Sequence, residues 1–216
     1  MIKYASNSCL ATKISFINEI GNICKKLGID VREVAKVLEF DPRIGEGHLK
    51  AGIGYGGSCL PKDVAALVVK AREVGYVPSM LRGVIELNNE QPQRMMDLLK
   101  NHVAPLKGKV IGVLGLAFKP DTDDVRESRA IPIIEALIKE GAKIRAYDPQ
   151  AMANFQKLFP DIEYAASAEK VLESDAVLIT TEWDEFGCLD FSGCIVIDGR
   201  GIDAARNARI YEGVCW

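Results

Sequence analysis

Apolar residues recur along the first hundred positions at steps of three and four. Leu10, Ile14, Ile17, Ile20 and Ile23 form one such stripe, which predicts a long helix over 2–27 stopped by Gly28. Asp30 is a good N-cap for a second helix to about Phe40, which Asp41-Pro42 breaks. A third helix is predicted from Pro61 to about Val74, capped by Gly75. A fourth begins near Ser79 and reaches about His102, its inner face marked by Leu81, Val84, Ile85, Met95, Leu98 and Leu99. Pro92 falls inside it and predicts a local bend. From Lys109 the pattern changes to short apolar runs separated by amphipathic segments. Strands are expected at 110–115, 143–148, 176–180 and 194–198, with helices over 128–140 and 167–173. The fold class is therefore α/β: a helical unit, then a parallel sheet with crossover helices.

Composition narrows the function classes. The chain has 216 residues and a formal net charge of −3, with acids and bases interspersed, which argues against nucleic acid as a partner. Its six cysteines lie at wide, irregular spacings beside only two histidines, so neither a disulfide framework nor a metal site is expected. A reduced, cytoplasmic setting follows as the default. No apolar run approaches a membrane span, and no signal-peptide pattern opens the chain.

The chemistry concentrates in Gly54-Tyr55-Gly56-Gly57-Ser58-Cys59-Leu60-Pro61-Lys62-Asp63. This glycine-rich loop delivers Cys59 to a helix N-terminus, where exposed N–H groups, the helix dipole and Lys62 favour a thiolate. Asp63 adds a carboxylate able to move protons or orient water. Such a group reads as a nucleophile in a binding loop. The competing reading, a small buried thiol in a tight turn, accounts for the cysteine but not for the contiguous glycines and Lys-Asp pair. Lys3 and Asn7 share one helix face and could steady a developing oxyanion, although spacing alone favours two solvated surface residues. The long connection 43–52 carries Arg43 and Lys50, which suit phosphates or a sugar, or simply a charged surface loop. Gly112 and Gly115 do not make a dinucleotide fingerprint, because no helix opens directly after the strand. The expected strand ends carry Phe118, Lys119, Asp148, Glu182-Trp183 and Arg200, a set suited to a nucleoside diphosphate.

Four runs together resemble the UDP-glucose/GDP-mannose dehydrogenase family. They are Lys3-x-x-x-Asn7 with 14–19; Gly56 to Asp63; Gly115-Leu116-Ala117-Phe118-Lys119-Pro120 through Ser128; and Thr181-Glu182-Trp183 with Asp198-Gly199-Arg200. The resemblance covers the family's central and C-terminal domains and does not include its N-terminal NAD-binding domain. It implies an all-helical dimerisation domain over 1–90, a linking helix to about 103, and a Rossmann-like nucleotide-sugar domain over 104–216. The family oxidises a sugar C6 alcohol to a carboxylate with two NAD. The resemblance implies that Cys59 attacks the intermediate aldehyde, forming a thiohemiacetal and then a thioester that water cleaves. It assigns oxygen stabilisation to Lys3 and Asn7, and water assistance to Asp63. It places His48, Leu49, Lys50, Ala51, Gly52, Gly56, Phe118, Lys119 and Arg200 on the substrate. Arg43 is offered to the neighbouring subunit's substrate, and Lys62 and Arg126 are placed on NAD. UDP-glucose is the expected substrate and GDP-mannose the alternative, with a homodimer through the central helices. The isolated chain is expected to hold the nucleotide sugar without turnover; a non-catalytic binding and dimerisation module is the competing class. Two positions depart from the family pattern: His48, where an aromatic ring is frequent, and Arg129, where proline is.

Overall fold

Helices dominate the first half in the computed structural model, which describes residues 1–216. Helix α1 (Ile2–Leu27) ends at Gly28, and α2 (Val31–Glu39) starts where the Asp30 carboxylate accepts the Arg32 N–H. Helix α3 (Leu60–Glu73) begins directly after Cys59, with Pro61 in its first turn. Helix α4 (Ser79–Val103) runs as one element through Pro92. Pro92 has no N–H to give the carbonyl one turn back, that of Asn88. That carbonyl lies beside Gly54, 3.2 Å from where a β-carbon there would sit.

The apolar stripe of α1 divides between two faces. Ile17 is wholly buried, whereas Ile23 is 51% exposed. The packed face is instead built from Ala11, Ser15, Asn18, Gly21 and Asn22, with Phe16 left 48% exposed on the opposite side. Small side chains let α3 and α4 approach closely, and the polar ones bond across the gap: Ser15 Oγ donates to Val84 O at 3.2 Å.

The second half is a six-stranded, wholly parallel sheet: β1 (Val110–Leu114), β2 (Lys143–Tyr147), β3 (Glu163–Tyr164), β4 (Ala176–Ile179), β5 (Ile195–Asp198) and β6 (Ile210–Gly213). Their order is β3-β2-β1-β4-β5-β6, so the winding reverses between β1 and β4. Helices α5 (Ala130–Lys139), α6 (Met152–Phe155) and α7 (Ala168–Leu172) complete the crossovers with two 3₁₀ turns, Asp184–Cys188 and Asp203–Asn207. This is a Rossmann-like α/β fold. The pattern located β1, β2, β4 and β5 but not α6, β3 or β6, which are four residues or fewer and only partly buried. Helix α5 starts two residues later than the pattern implied, because Ser128 Oγ receives the Ala130 N–H and ends the preceding turn.

A single apolar core joins the halves. Met95, Met96 and Leu99 of α4 belong to the same cluster as Ile17, Leu49 and Ile53 on one side and Ile111, Leu114, Val196 and Ile197 on the other. A smaller cluster, Ala11, Tyr55, Val64 and Val84, lies beneath the glycine loop.

Candidate active site

Cys59 is an exposed free thiol at the N-cap position of α3. One turn on, Asp63 is fully buried, its N–H bonded to Cys59 O at 2.9 Å. Helix α1 delivers the rest of the cluster. Asn7 Nδ2 donates to Asp63 Oδ2 at 2.7 Å, and Lys3 Nζ reaches the same oxygen at 3.6 Å. Lys62 Nζ stands 4.0 Å from Oδ1, which has no hydrogen-bond partner in the protein. A buried carboxylate oxygen without a donor is costly, so Oδ1 is the natural acceptor for a water or a substrate hydroxyl. The i, i+4 pair Lys3 and Asn7 is thus gathered with Asp63 behind Cys59.

Buried amides hold the loop leading to Cys59. Asn88 Oδ1 accepts from Tyr55 N (2.8 Å) while its Nδ2 donates to Tyr55 O (3.1 Å). Asn18 Oδ1 accepts from Gly52 N (2.8 Å), and Gln91 Nε2 donates to Gly52 O (2.7 Å). Asn22 Nδ2 then supports Gln91 Oε1 at 2.9 Å. The sequence reading assigned these amides no role. Their signal was available: Asn18 and Asn22 are four apart, and Asn88 and Gln91 three apart, on faces otherwise facing a core.

From the other side the loop rests on the α/β half. Gly57 N donates to Arg126 O at 2.9 Å, and a β-carbon on Gly57 would sit 2.7 Å from the Phe118 ring. Gly56 abuts the Glu127 carbonyl more closely still, at 2.2 Å from where a β-carbon would sit. Glycine is required at Gly57 twice over, by this contact and by its φ of 83°.

The cleft between the halves measures about 410 Å³. Phe118, Lys119, Glu182 and Arg200 enter it from beyond β1, β4 and β5, at the carboxyl ends of three adjacent strands. That is the topological switch point, where open α/β sheets take ligands. His48, Lys50, Gly52, Gly56 and Glu39 close the opposite wall. Arg200 spans the cleft, its Nε donating to Thr180 O at 2.8 Å and its Nη1 to Gly54 O at 3.3 Å. His48 holds a left-handed φ of 62°, a strained conformation for a non-glycine residue.

The remaining residues singled out in the sequence lie around this centre. The Leu49 side chain is buried in the core, so only its main chain is available to the cleft. Leu49, Lys50 and Ala51 also line a neighbouring groove with Trp216. Arg43 is exposed and paired with Asp41. Lys62 and Arg126 are exposed beside Cys59. Pairing with Asp124 pushes the Arg126 guanidinium pKa up, and Cys59 adds a smaller push. Arg129 is buried, donating to Glu127 O through Nε (3.2 Å) and Nη2 (3.1 Å). Burial lowers its pKa against the pull of Glu127. It therefore holds the carbonyl on which Gly56 rests, a physical role for this departure from the family pattern.

At the end of β2, Asp148 could meet a ribose, but its carboxylate already accepts from Leu116, Ala117, Gln150 and Ala151 N–H groups and from the Trp183 indole.

Fold and cleft together define an α/β sheet with a cleft at its switch point, closed by a helical unit bearing a cysteine. The chain belongs to the UDP-glucose/GDP-mannose dehydrogenase family: the family's central domain matches residues 1–90 and its UDP binding domain residues 112–204. It is 50% identical over 220 residues to UDP-glucose 6-dehydrogenase AglM of Haloferax volcanii, covering 99% of this chain and 51% of that protein. A UDP-glucose dehydrogenase structure from Pyrobaculum islandicum superposes with a TM-score of 0.97 at 41% identity, over 100% of this chain and 50% of that one. A GDP-mannose dehydrogenase structure from Pseudomonas aeruginosa gives 0.71 at 33% identity, over 100% and 52%. The chain thus spans about half the length of the relatives it matches. No helix is long and apolar enough to cross a membrane.

Proposed function

We propose that this chain carries the nucleotide-sugar site and the catalytic cysteine of an enzyme that oxidises UDP-glucose to UDP-glucuronate. The observation that carries the reading is Cys59 on the loop between Gly56 and Leu60, which both line the cleft, with Asp63, Asn7 and Lys3 clustered one turn behind it. Phe118 offers a ring face, and Lys50, Lys119 and Arg200 offer charge to a diphosphate. Cys59 holds the oxidised sugar carbon covalently, Lys3 and Asn7 stabilise the oxygen on it, and Asp63 Oδ1 orients the water that releases the acid. NAD, when bound, supplies the hydride acceptor, and the exposed cations Lys62 and Arg126 fit its phosphates.

A homodimer forms through the central helices in this reading, using the exposed side of α1 with Phe16 and Ile23. Arg43, on an exposed loop, reaches the partner's cleft. The chain alone binds the nucleotide sugar and dimerises without turnover. Calorimetry with UDP-glucose, UDP, GDP-mannose and GDP tests the substrate; tighter GDP binding would move the assignment to GDP-mannose. NADH formation from UDP-glucose, with and without a relative's N-terminal half, tests the division of labour. Turnover by this chain alone overturns it.

A further inference from the structure

Behind Arg200 lies a run of hydrogen bonds outside the cleft. Asp198, the last residue of β5, is wholly buried. Its Oδ1 accepts from the N–H groups of Arg200 (2.8 Å) and Gly201 (2.9 Å), and its Oδ2 from that of Ile202 (2.8 Å). The fourth donor is the Tyr211 hydroxyl, at 3.1 Å from Oδ2. That hydroxyl in turn accepts the Trp216 indole N–H at 2.6 Å. The donors run one way, indole to phenol to carboxylate, so each bond polarises the next.

Trp216 is itself held by several contacts. Its indole fills the space over Gly213 that any side chain there would need. The Arg32 guanidinium lies 5.1 Å from its ring centroid. Its carbonyl accepts from Lys25 Nζ at 2.9 Å, and the same ammonium pairs with Glu212 at 2.6 Å. Next to it, Cys215 is buried against the other wall, its Sγ 3.8 Å from Gly52 O and from Gln91 Nε2. Residues 215 and 216 therefore touch the supports of both cleft walls.

We propose that Tyr211 and Trp216 are positioning residues for Arg200. The relay holds the turn 198–202 rigid, and that turn aims the guanidinium across the cleft. A buried carboxylate deprived of one of four donors draws its remaining partners into new positions. Arg200 tolerates little movement, because its 3.3 Å bond to Gly54 O is already at the long end. The proposal rests on the reading above that Arg200 meets the nucleotide sugar.

Tyr211→Phe keeps the ring and removes both relay bonds; Trp216→Phe removes only the first donor. Calorimetric titration of the chain with UDP-glucose is expected to show about fivefold weaker binding in Tyr211→Phe, the loss of one net hydrogen bond. Arg200→Lys weakens binding further, and adding Tyr211→Phe to it changes nothing more, because the phenol acts only through Arg200. Unchanged affinity in Tyr211→Phe, or additive losses in the double variant, overturns the proposal. Exchange of the Arg200 Nε–H proton, followed by NMR without ligand, gives a second decision. Faster exchange in Tyr211→Phe and Trp216→Phe supports the relay, and unchanged exchange in both overturns it. If the unaltered chain fails to bind UDP-glucose, the functional reading falls, and the exchange result alone decides whether the relay holds the turn.

Discussion

The side chain of Asn88 grips the main chain of Tyr55 at both ends, accepting its N–H at 2.8 Å and donating to its carbonyl at 3.1 Å. Both partners are buried, so water cannot replace either bond. Asn88→Ala orphans a buried donor and a buried acceptor, at a cost of about 2–4 kcal/mol. Thermal melting should show this as a lower midpoint. UDP-glucose affinity should fall with it, since the released segment contains Gly54 and Gly56 of the cleft. A melting point within a degree of the unaltered chain would sink this account of the loop.

Gly57→Ala should disturb the cleft from the opposite side. The added methyl meets the Phe118 ring at 2.7 Å and demands a left-handed backbone that alanine resists at about 1 kcal/mol or more. Phe118 must turn away, and with it goes a face of the cleft. Weaker nucleotide binding is expected for UDP and UDP-glucose alike, measured by calorimetry.

Three thiols, Cys9, Cys59 and Cys188, are exposed, and three are buried. Alkylation followed by peptide mass spectrometry should therefore spare the buried three under native conditions and modify Cys59 and Cys188, with Cys9, on the same face of α1 as Phe16 and Ile23, shielded to the extent that the proposed dimer forms. UDP-glucose should protect Cys59 and leave the labelling of Cys9 and Cys188 unchanged. Cys59→Ser should retain nucleotide-sugar binding and reduce NADH formation in the assembled enzyme to background. Equal protection of all three thiols would remove the case for Cys59 at the sugar.

Alkaline stability offers an independent check on packing. Burial pushes the phenols of Tyr55, Tyr147 and Tyr164 up to about 12, from 10.0. The folded chain therefore keeps phenolic protons that the unfolded chain releases. The resulting stabilisation is fully present below pH 10 and is lost as pH rises from there towards 12. Phenolate absorbance in native protein should lag the denatured protein across this window, and Tyr55→Phe should narrow the lag.

Much of this site was legible because its chemistry is contiguous. Ten successive residues place the glycines, Cys59, Pro61 and Asp63 in one loop and one helix start, and local rules suffice for such a run. Lys3 and Asn7 were a harder case. Their spacing fixed a shared face, but only the packing of α1 against α3 brings them to Asp63. Arg200 and Gly54 bond across 146 positions, a relation that no periodicity encodes. Helix α1 has the bounds its stripe predicts, but of the stripe only Ile17 is fully buried: Ser15 and Asn18 share the packed face because they bind main chain, while Ile23 lies outside it. Tyr211 and Trp216 were passed over because β6 is four residues long and half-buried, with no alternation to read.

Helix α4 has a consequence for variants far from the cleft. Within three turns it carries Asn88 and Gln91, which restrain the loop, and Met95, Met96 and Leu99, which lie in the apolar interior common to helices and sheet. An injury to that interior, such as trimming Ile197 of β5, should therefore be felt through this beam at Tyr55 and Gly52. Distance from Cys59 in ångströms is for that reason a poor guide to which substitutions the nucleotide will feel.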